Sequence, residues 1–326
     1  MSDTPIPYSL RQNKAIDRYA FIELLSRINI FCNIRDYSYI GLGGYSLEDF
    51  KYIHSHFGIR DMISLEEDEE VHKRQLFNCP LSCIKCCHQS TDDFINEFNR
   101  SNETIVWLDY VRPSNLRKQV EEFQAIVNKL SPLDIIKITL NANPSSYVAR
   151  AEVEQKDLHE ARIAKLKDML GELYPPAGIV PTMMTMGKFP SAILLILKSA
   201  ASAATSGQSI SFQPLTAFSY ADGQQMLTLT GIILEKDEIK DFLDKTKIIN
   251  WELGNTDWAK PRQINVPELT MKERLYIDSL LPGSDVKRIQ DELKFRFNRN
   301  ENRSLKMLET YALFYRHSPY FSRILI

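Results

Sequence analysis

Between residues 37 and 140 the chain alternates short apolar runs with amphipathic stretches of helical period, and this alternation restricts its fold more than any other feature. Runs at 37–42, 61–66, 83–88, 104–109 and 134–140 read as strands, and the stretches at 46–57, 68–77, 92–98 and 114–130 between them read as helices. Strands spaced this way pair in parallel through right-handed crossovers. The prediction is a doubly wound, mostly parallel α/β sheet. Two more apolar runs, 210–220 and 226–234, flank Ala221-Asp-Gly-Gln224 and predict an antiparallel hairpin that closes the sheet at seven strands.

A helix is expected before the first strand, over residues 8–31, from Ala15, Ile16, Tyr19, Ile22, Leu25 and Ile28 at helical spacing. After the fifth strand comes a helical insert over 150–190. It holds a charged helix at 152–173, the breaker Tyr174-Pro-Pro-Ala-Gly178 and the run Met183-Met-Thr-Met186, with an apolar helix following at 190–204. Beyond 234 the alternation stops and proline-containing linkers separate helical pieces. The expected division is therefore an N-terminal helical segment at 1–35, a sheet domain at 36–234 and a helical C-terminal subdomain at 235–326. A chain of 326 residues, 44% hydrophobic, buries such a core without disulfides or metals. Its net charge of −2 excludes a global attraction to polyanions. Met1-Ser-Asp-Thr-Pro does not open like a secretion signal, and the longest apolar run, 192–197, is too short to span a bilayer. Cytoplasmic location and no membrane contact are expected.

The chemistry centres on Tyr39-Ile-Gly-Leu-Gly-Gly-Tyr45, followed about twenty residues on by Met62-Ile-Ser-Leu-Glu66. A strand entering a glycine turn and a helix, then a second strand ending in an acid, is the arrangement by which α/β sheets hold an adenosine ribose. The fourth strand delivers Asp109 at its C-terminal end, where open α/β sheets bind ligands and where a buried carboxylate without a task is costly.

With these motifs in this order, residues 36–234 resemble the class I S-adenosylmethionine-dependent methyltransferases. The resemblance implies S-adenosylmethionine as cofactor, with Gly41, Leu42, Gly43 and Gly44 around its methionine part and Glu66, followed by Glu67, at the ribose hydroxyls. Ser90 and Thr91, with Asp92, match the adenine side. Asp109 is counted both with the cofactor site and as the group that orients or deprotonates the methyl acceptor, with Tyr110, Arg112, Asn141 and Asn143 around it. The fourth strand is also similar to that of metal-dependent small-molecule O-methyltransferases, which favours O-methylation of an unidentified acceptor. Here, however, the fifth strand ends Leu140-Asn-Ala-Asn143 without a second acid, so no metal is expected. Arg112 stands where that subfamily has a proton-accepting lysine; a guanidinium cannot be the base but can hold an anion. Tyr39 stands where most members have an acid for the cofactor's ammonium, a role that passes to Glu48 or Asp49. This departure leaves open a weak or inactive S-adenosylmethionine-binding module working in a larger assembly. An NAD-binding Rossmann domain is the third reading, with the hairpin and the short glycine pattern against it.

Several signals compete. Cys79, Cys83 and Cys86 have the spacing of a [4Fe–4S] motif, against small buried cysteines as the ordinary reading. His88 ends a strand on the ligand edge, and Met183, Met184 and Met186 suit either a substrate mouth or a core. Arg11, Asn13 and Lys14 open the first helix as a lid or as its wet face. From Lys287 to Arg323 nine basic and four acidic residues interleave with aromatics such as Phe295, Tyr311, Phe314, Tyr320 and Phe321. That surface suits a protein or nucleic-acid partner, or caps the helical subdomain with its aromatics inward. Homodimerisation is compatible with all of these readings.

Overall fold

Five parallel strands, each followed by a helix, form the centre of the chain in its computed structural model, which describes residues 11–110, 112–148, 154 and 157–318. After α1 (Gln12–Ile28) come β1 (Ser38–Gly41), α2 (Glu48–Phe57), β2 (Asp61–Glu66), α3 (Glu69–Asn78), β3 (Ile84–His88), α4 (Thr91–Glu97), β4 (Thr104–Asp109), α5 (Leu116–Lys129) and β5 (Ile135–Asn141). Next are α6 (Leu158–Leu170), α7 (Phe189–Ala204) and the hairpin of β6 (Ile210–Asp222) and β7 (Gln224–Glu235). The chain continues with α8 (Ile239–Thr246), β8 (Arg262–Ile264), α9 (Met271–Leu280), α10 (Val286–Leu293) and α11 (Glu301–Phe314).

The strand order is β3-β2-β1-β4-β5-β7-β6-β8. Strands β1 to β5 are parallel and β7 runs antiparallel to β5, so the doubly wound sheet with a closing hairpin is the fold observed. Among the described residues the sheet has eight strands where seven were expected. The extra one, β8, is three residues long, too short to leave an alternating pattern in the sequence.

One face of the sheet explains the apolar runs. Val106 and Leu108 of β4 and Ile136, Ile138 and Leu140 of β5 are buried in one cluster with Val120, Phe123 and Val127 of α5 and Ile193, Ile196 and Leu197 of α7. The buried residues of α5 recur three and four apart, the stripe that a helix needs to cover a sheet. The alternate residues, Ile105, Trp107, Ile135, Lys137 and Thr139, are buried as well. A sheet covered on both faces reads as near-continuous hydrophobic strands, and the polar residues interrupting this second face stand out.

The insert is more broken than its periodicity suggests. The helix expected over 152–173 is α6, 158–170, ended by Gly171 at φ +56 and one 3-10 turn, Gly171–Leu173. A residue with a side chain resists that conformation, so the glycine sets the stop. Residues 152, 320, 321 and 323 of the sequence reading lie outside the described residues.

Asp134 ties β4 to the turn before β5, its Oδ1 accepting from the Thr104 N–H at 2.6 Å and its Oδ2 from the Ser131 N–H at 2.7 Å. Burial pushes this carboxyl from 3.8 up to about 6. Because the folded state holds the proton more tightly, the protonated group favours folding below about pH 4. That contribution, about 3 kcal/mol at about 1.4 kcal/mol per pH unit, is lost as pH rises towards 6. A carboxyl-carbon NMR titration is expected to place the Asp134 midpoint near 6; a midpoint below 4.5 would contradict the effect of burial.

The chain divides into two compact units, 22–219 with 224–262, and 11–21 with 220–223 and 263–318 among the described residues. In the second unit Asp222 caps α1, its Oδ2 accepting from the Lys14 N–H and its Oδ1 from Asn13 Nδ2, each at 2.7 Å. Asn13 and Lys14 are thus buried anchors within this unit and not its wet face. Tyr311 and Phe314 of the basic C-terminal stretch are interior, Tyr311 donating to Asp278 at 2.7 Å, while Phe295 stays 42% exposed. No helix among the described residues is long and apolar enough to cross a membrane.

Candidate functional site

Strands β1 to β5 are parallel, so Gly41, Glu66, His88, Asp109 and Asn141 all end at one edge of the sheet. The register orders them further. Gly41 pairs with Ser64 on β2 and with Trp107 on β4, so Glu66 and Asp109 each lie two residues beyond the glycine on opposite sides of it. Side chains two apart share a face, which puts both half-buried carboxylates on one face, flanking the glycine turn at the C-terminal edge.

The turn itself is held from below. Gly43 N–H donates to Ser64 Oγ at 3.3 Å. A Cβ on Gly43 would lie 2.5 Å from Ser64 Oγ and 2.9 Å from Phe50 Cε2, and would also strike Leu47, so no larger residue fits. Gly44 has φ +52 and nothing within 4 Å of a Cβ position, leaving its backbone open to a ligand. Buried Leu47 takes φ 52 before α2, a strained conformation for leucine that starts the helix directly after the turn. Tyr39 is buried, packs edge-on against Phe50 at 4.8 Å, and its hydroxyl lies 3.1 Å from the Cβ position of Gly41. Its ring therefore fills the space beneath the turn. Glu48 and Asp49, half-buried, form the first turn of α2. Leu42 is half-buried between the glycines.

Glu66 accepts from the Asp68 N–H at 3.0 Å through Oε1, and burial pushes its carboxyl above the ordinary range. Glu67 is exposed; its carbonyl meets His88 Nε2 at 3.1 Å, and the His88 ring stacks on His72 at 5.3 Å. Ser90 caps α4 by accepting from the Asp93 N–H at 3.1 Å.

Thr91 and Tyr110, assigned to different parts of the site by the sequence, are brought together. The Tyr110 hydroxyl donates to buried Glu122 of α5 and also bonds to the Thr91 side chain. Burial drives both the phenol and the Glu122 carboxyl upward, so Tyr110 is held protonated and cannot serve as a base. Asn141 is buried, its Oδ1 accepting from the Asn143 N–H at 3.0 Å, while Asn143 Nδ2 donates to Gln224 at 3.2 Å. Arg112 is exposed, and its carbonyl accepts from Gln119 Nε2 at 2.8 Å.

The five cysteines are free and half-buried, Cys79 Sγ donating to the Leu81 and Ile84 carbonyls. Among the described residues no three His, Cys, Asp or Glu side chains are placed to hold a metal ion. Met184 is fully buried while Met186 is exposed.

Sequence reasoning passed over Ser64, Glu122, Trp107, Thr139 and Lys137. Ser64, Glu122 and Lys137 left a signal, each being a polar residue at a position whose period is otherwise inward and apolar.

No curated protein sequence matches the chain. It is similar in structure to the N-methyltransferase NodS from Bradyrhizobium japonicum WM9, with 9% identity over 68% of this chain and 97% of that one and a TM-score of 0.38. It is likewise similar to Trm1 from Pyrococcus horikoshii with S-adenosyl-L-methionine, at 12% identity, 74% and 60% coverage and a TM-score of 0.42. For the plantazolicin methyltransferase BamL in complex with a triazolic desmethylPZN analog and SAH the values are 12%, 69%, 88% and 0.37. A family model described as "Putative O-methyltransferase" matches residues 6–326. The chain belongs to that family, and its fold is that of the class I methyltransferases.

Proposed function

We propose that this methyltransferase uses S-adenosylmethionine to methylate an oxygen of its acceptor. The observation that carries the reading is the placement of Glu66 and Asp109 on one face of the sheet, on either side of a turn that only glycine can form at Gly43. The bound cofactor supplies a methyl group on a sulfonium, activated for in-line attack. The residues present fit it: Gly44 leaves backbone open to the methionine part, and Glu66 keeps one carboxylate oxygen beyond the one turned to Asp68, on the ribose side. Ser90 and Thr91 at the start of α4 line the adenine side. Asp109 orients the acceptor, with Asn141 at the end of the neighbouring strand and Arg112 three residues beyond Asp109. Transfer needs the acceptor atom held in line at near-attack distance, and much of the rate comes from that alignment.

Calorimetry of the full chain with S-adenosylmethionine and with S-adenosylhomocysteine tests the reading. Saturable binding of both is expected. Binding of neither, with NAD bound in their place, would replace it.

A further inference from the structure

Residues 294–306, the loop after α10 and the first turns of α11, form a basic surface that the reading above leaves unused. They hold Lys294, Arg296, Arg299, Arg303 and Lys306, all exposed, against the single acid Glu301, a net of +4. Arg296 pairs with Glu301 at 2.7 Å, while the other four cations enter no ion pair among the described residues. The acids of α10 and its cap do not offset them. Asp285 accepts from the Arg288 N–H at 2.9 Å, and Glu292 accepts from Arg288 Nε at 2.9 Å and from the Tyr276 hydroxyl at 3.0 Å. Exposed Asp291 and Glu309 flank the surface in sequence. Over 285–309 seven cations stand against five acids, so the positive excess is concentrated between 294 and 306.

The loop is tied in place. Phe297 N–H donates to buried Ser304 Oγ, Asn300 N–H to Asn298 Oδ1 and Arg303 N–H to Asn300 Oδ1, each at 3.0 Å. A shape fixed beforehand lowers the ordering cost that binding would otherwise meet. Among the cations Phe295 is 42% exposed, its ring edge-on to Phe297 at 5.5 Å. Cations alone would suit any polyanion, but the aromatic ring narrows the choice. A single strand of nucleic acid has unpaired bases whose flat faces stack on such a ring while its phosphates meet Lys and Arg. A duplex hides those faces in its own stack, and an acidic peptide offers charge only.

We infer that residues 294–306 bind single-stranded nucleic acid, with phosphates at Lys294, Arg299, Arg303 and Lys306 and a base stacked on Phe295. Arg303 and Lys306, three apart on α11, are neighbours on its surface. Because the whole chain carries a net charge of −2, the attraction is local and the strand is held here rather than over the surface at large. The surface lies wholly within the second compact unit and is independent of the S-adenosylmethionine reading.

The test titrates the full chain into a dye-labelled oligouridylate of about fifteen nucleotides and follows its anisotropy. Saturable binding is expected, weakening about 60-fold between about 50 and 200 mM salt, since four phosphate contacts on a single strand give a slope of about −3. Arg299→Gln combined with Arg303→Gln is expected to halve that slope to about −1.5. Phe295→Ala is expected to weaken binding about tenfold and leave the slope unchanged. All three side chains are exposed, so both variants are expected to melt with the unaltered chain; should Phe295→Ala fail to fold, the slope of the double variant still decides. No saturable binding at about 50 mM salt overturns the inference, as does binding that neither variant alters. Equal or tighter binding of duplex RNA, of polyglutamate of matched length or of phosphatidylserine vesicles also overturns it and assigns the surface to that partner instead.

Discussion

Replacing Glu66 with alanine is expected to raise the dissociation constant for S-adenosylmethionine about 100-fold while leaving the chain folded. The carboxylate is the last residue of β2, two residues beyond Ser64, which itself anchors Gly43. Two hydroxyls donating to one carboxylate make charge-assisted hydrogen bonds of about 1.5 kcal/mol or more each, and about 3 kcal/mol is two decades of affinity. The structural cost is smaller, because the bond from the Asp68 N–H lies in an exposed turn. Glu66→Gln keeps one acceptor oxygen but not the charge, so an intermediate loss of about tenfold is expected. Burial raises the Glu66 carboxyl. The acceptor form is therefore lost earlier on acidification than for an exposed glutamate, and affinity falls as pH drops through that raised value. Calorimetry of the two variants across pH checks this, and an unchanged affinity in Glu66→Ala would remove Glu66 from the ribose.

The alternation between 37 and 140 was legible because parallel strands are buried on both faces, which turns each into a run such as Ile105-Val-Trp-Leu108. The hairpin was legible for the same reason, with Asp-Gly marking its turn. Strand β8 was not, since three residues carry no period. The early end of α6 depended on the backbone conformation at Gly171, which composition alone does not reveal. Within the candidate site, chain order could point to the residues at strand ends but not to what supports them. Tyr39 was legible only as a missing acid; its ring under Gly41 follows from packing against Phe50. The bond from Tyr110 to Glu122 joins residues twelve apart through a strand-to-helix crossover, and the approach of Lys137 to Trp107 depends on strand register. Such pairings belong to the folded sheet, and a one-residue slip would undo them.

Asp109→Ala is expected to lower kcat at least 100-fold with the S-adenosylmethionine dissociation constant changed less than about threefold. Asp109 and Glu66 share a face on strands separated by β1, two inter-strand spacings or about 10 Å apart. If the ribose is at Glu66, Asp109 lies towards the reacting end of the cofactor and Glu66 bears most of the binding. Placement explains the size of the effect, since a misplacement of about 1 Å at the reacting atoms costs about 100-fold. Asp109 also sets a negative charge beside the cationic cofactor, so its removal takes away charge as well as placement. Asp109→Asn separates the two contributions: it preserves shape and one acceptor oxygen but not the charge. Recovery of kcat in Asp109→Asn assigns the residue to orientation by hydrogen bonding, while a loss equal to that of alanine assigns it to charge. Rates come from transfer of a methyl label from S-adenosylmethionine and affinities from calorimetry. A loss of cofactor affinity comparable to that in Glu66→Ala would instead place Asp109 among the cofactor's ligands.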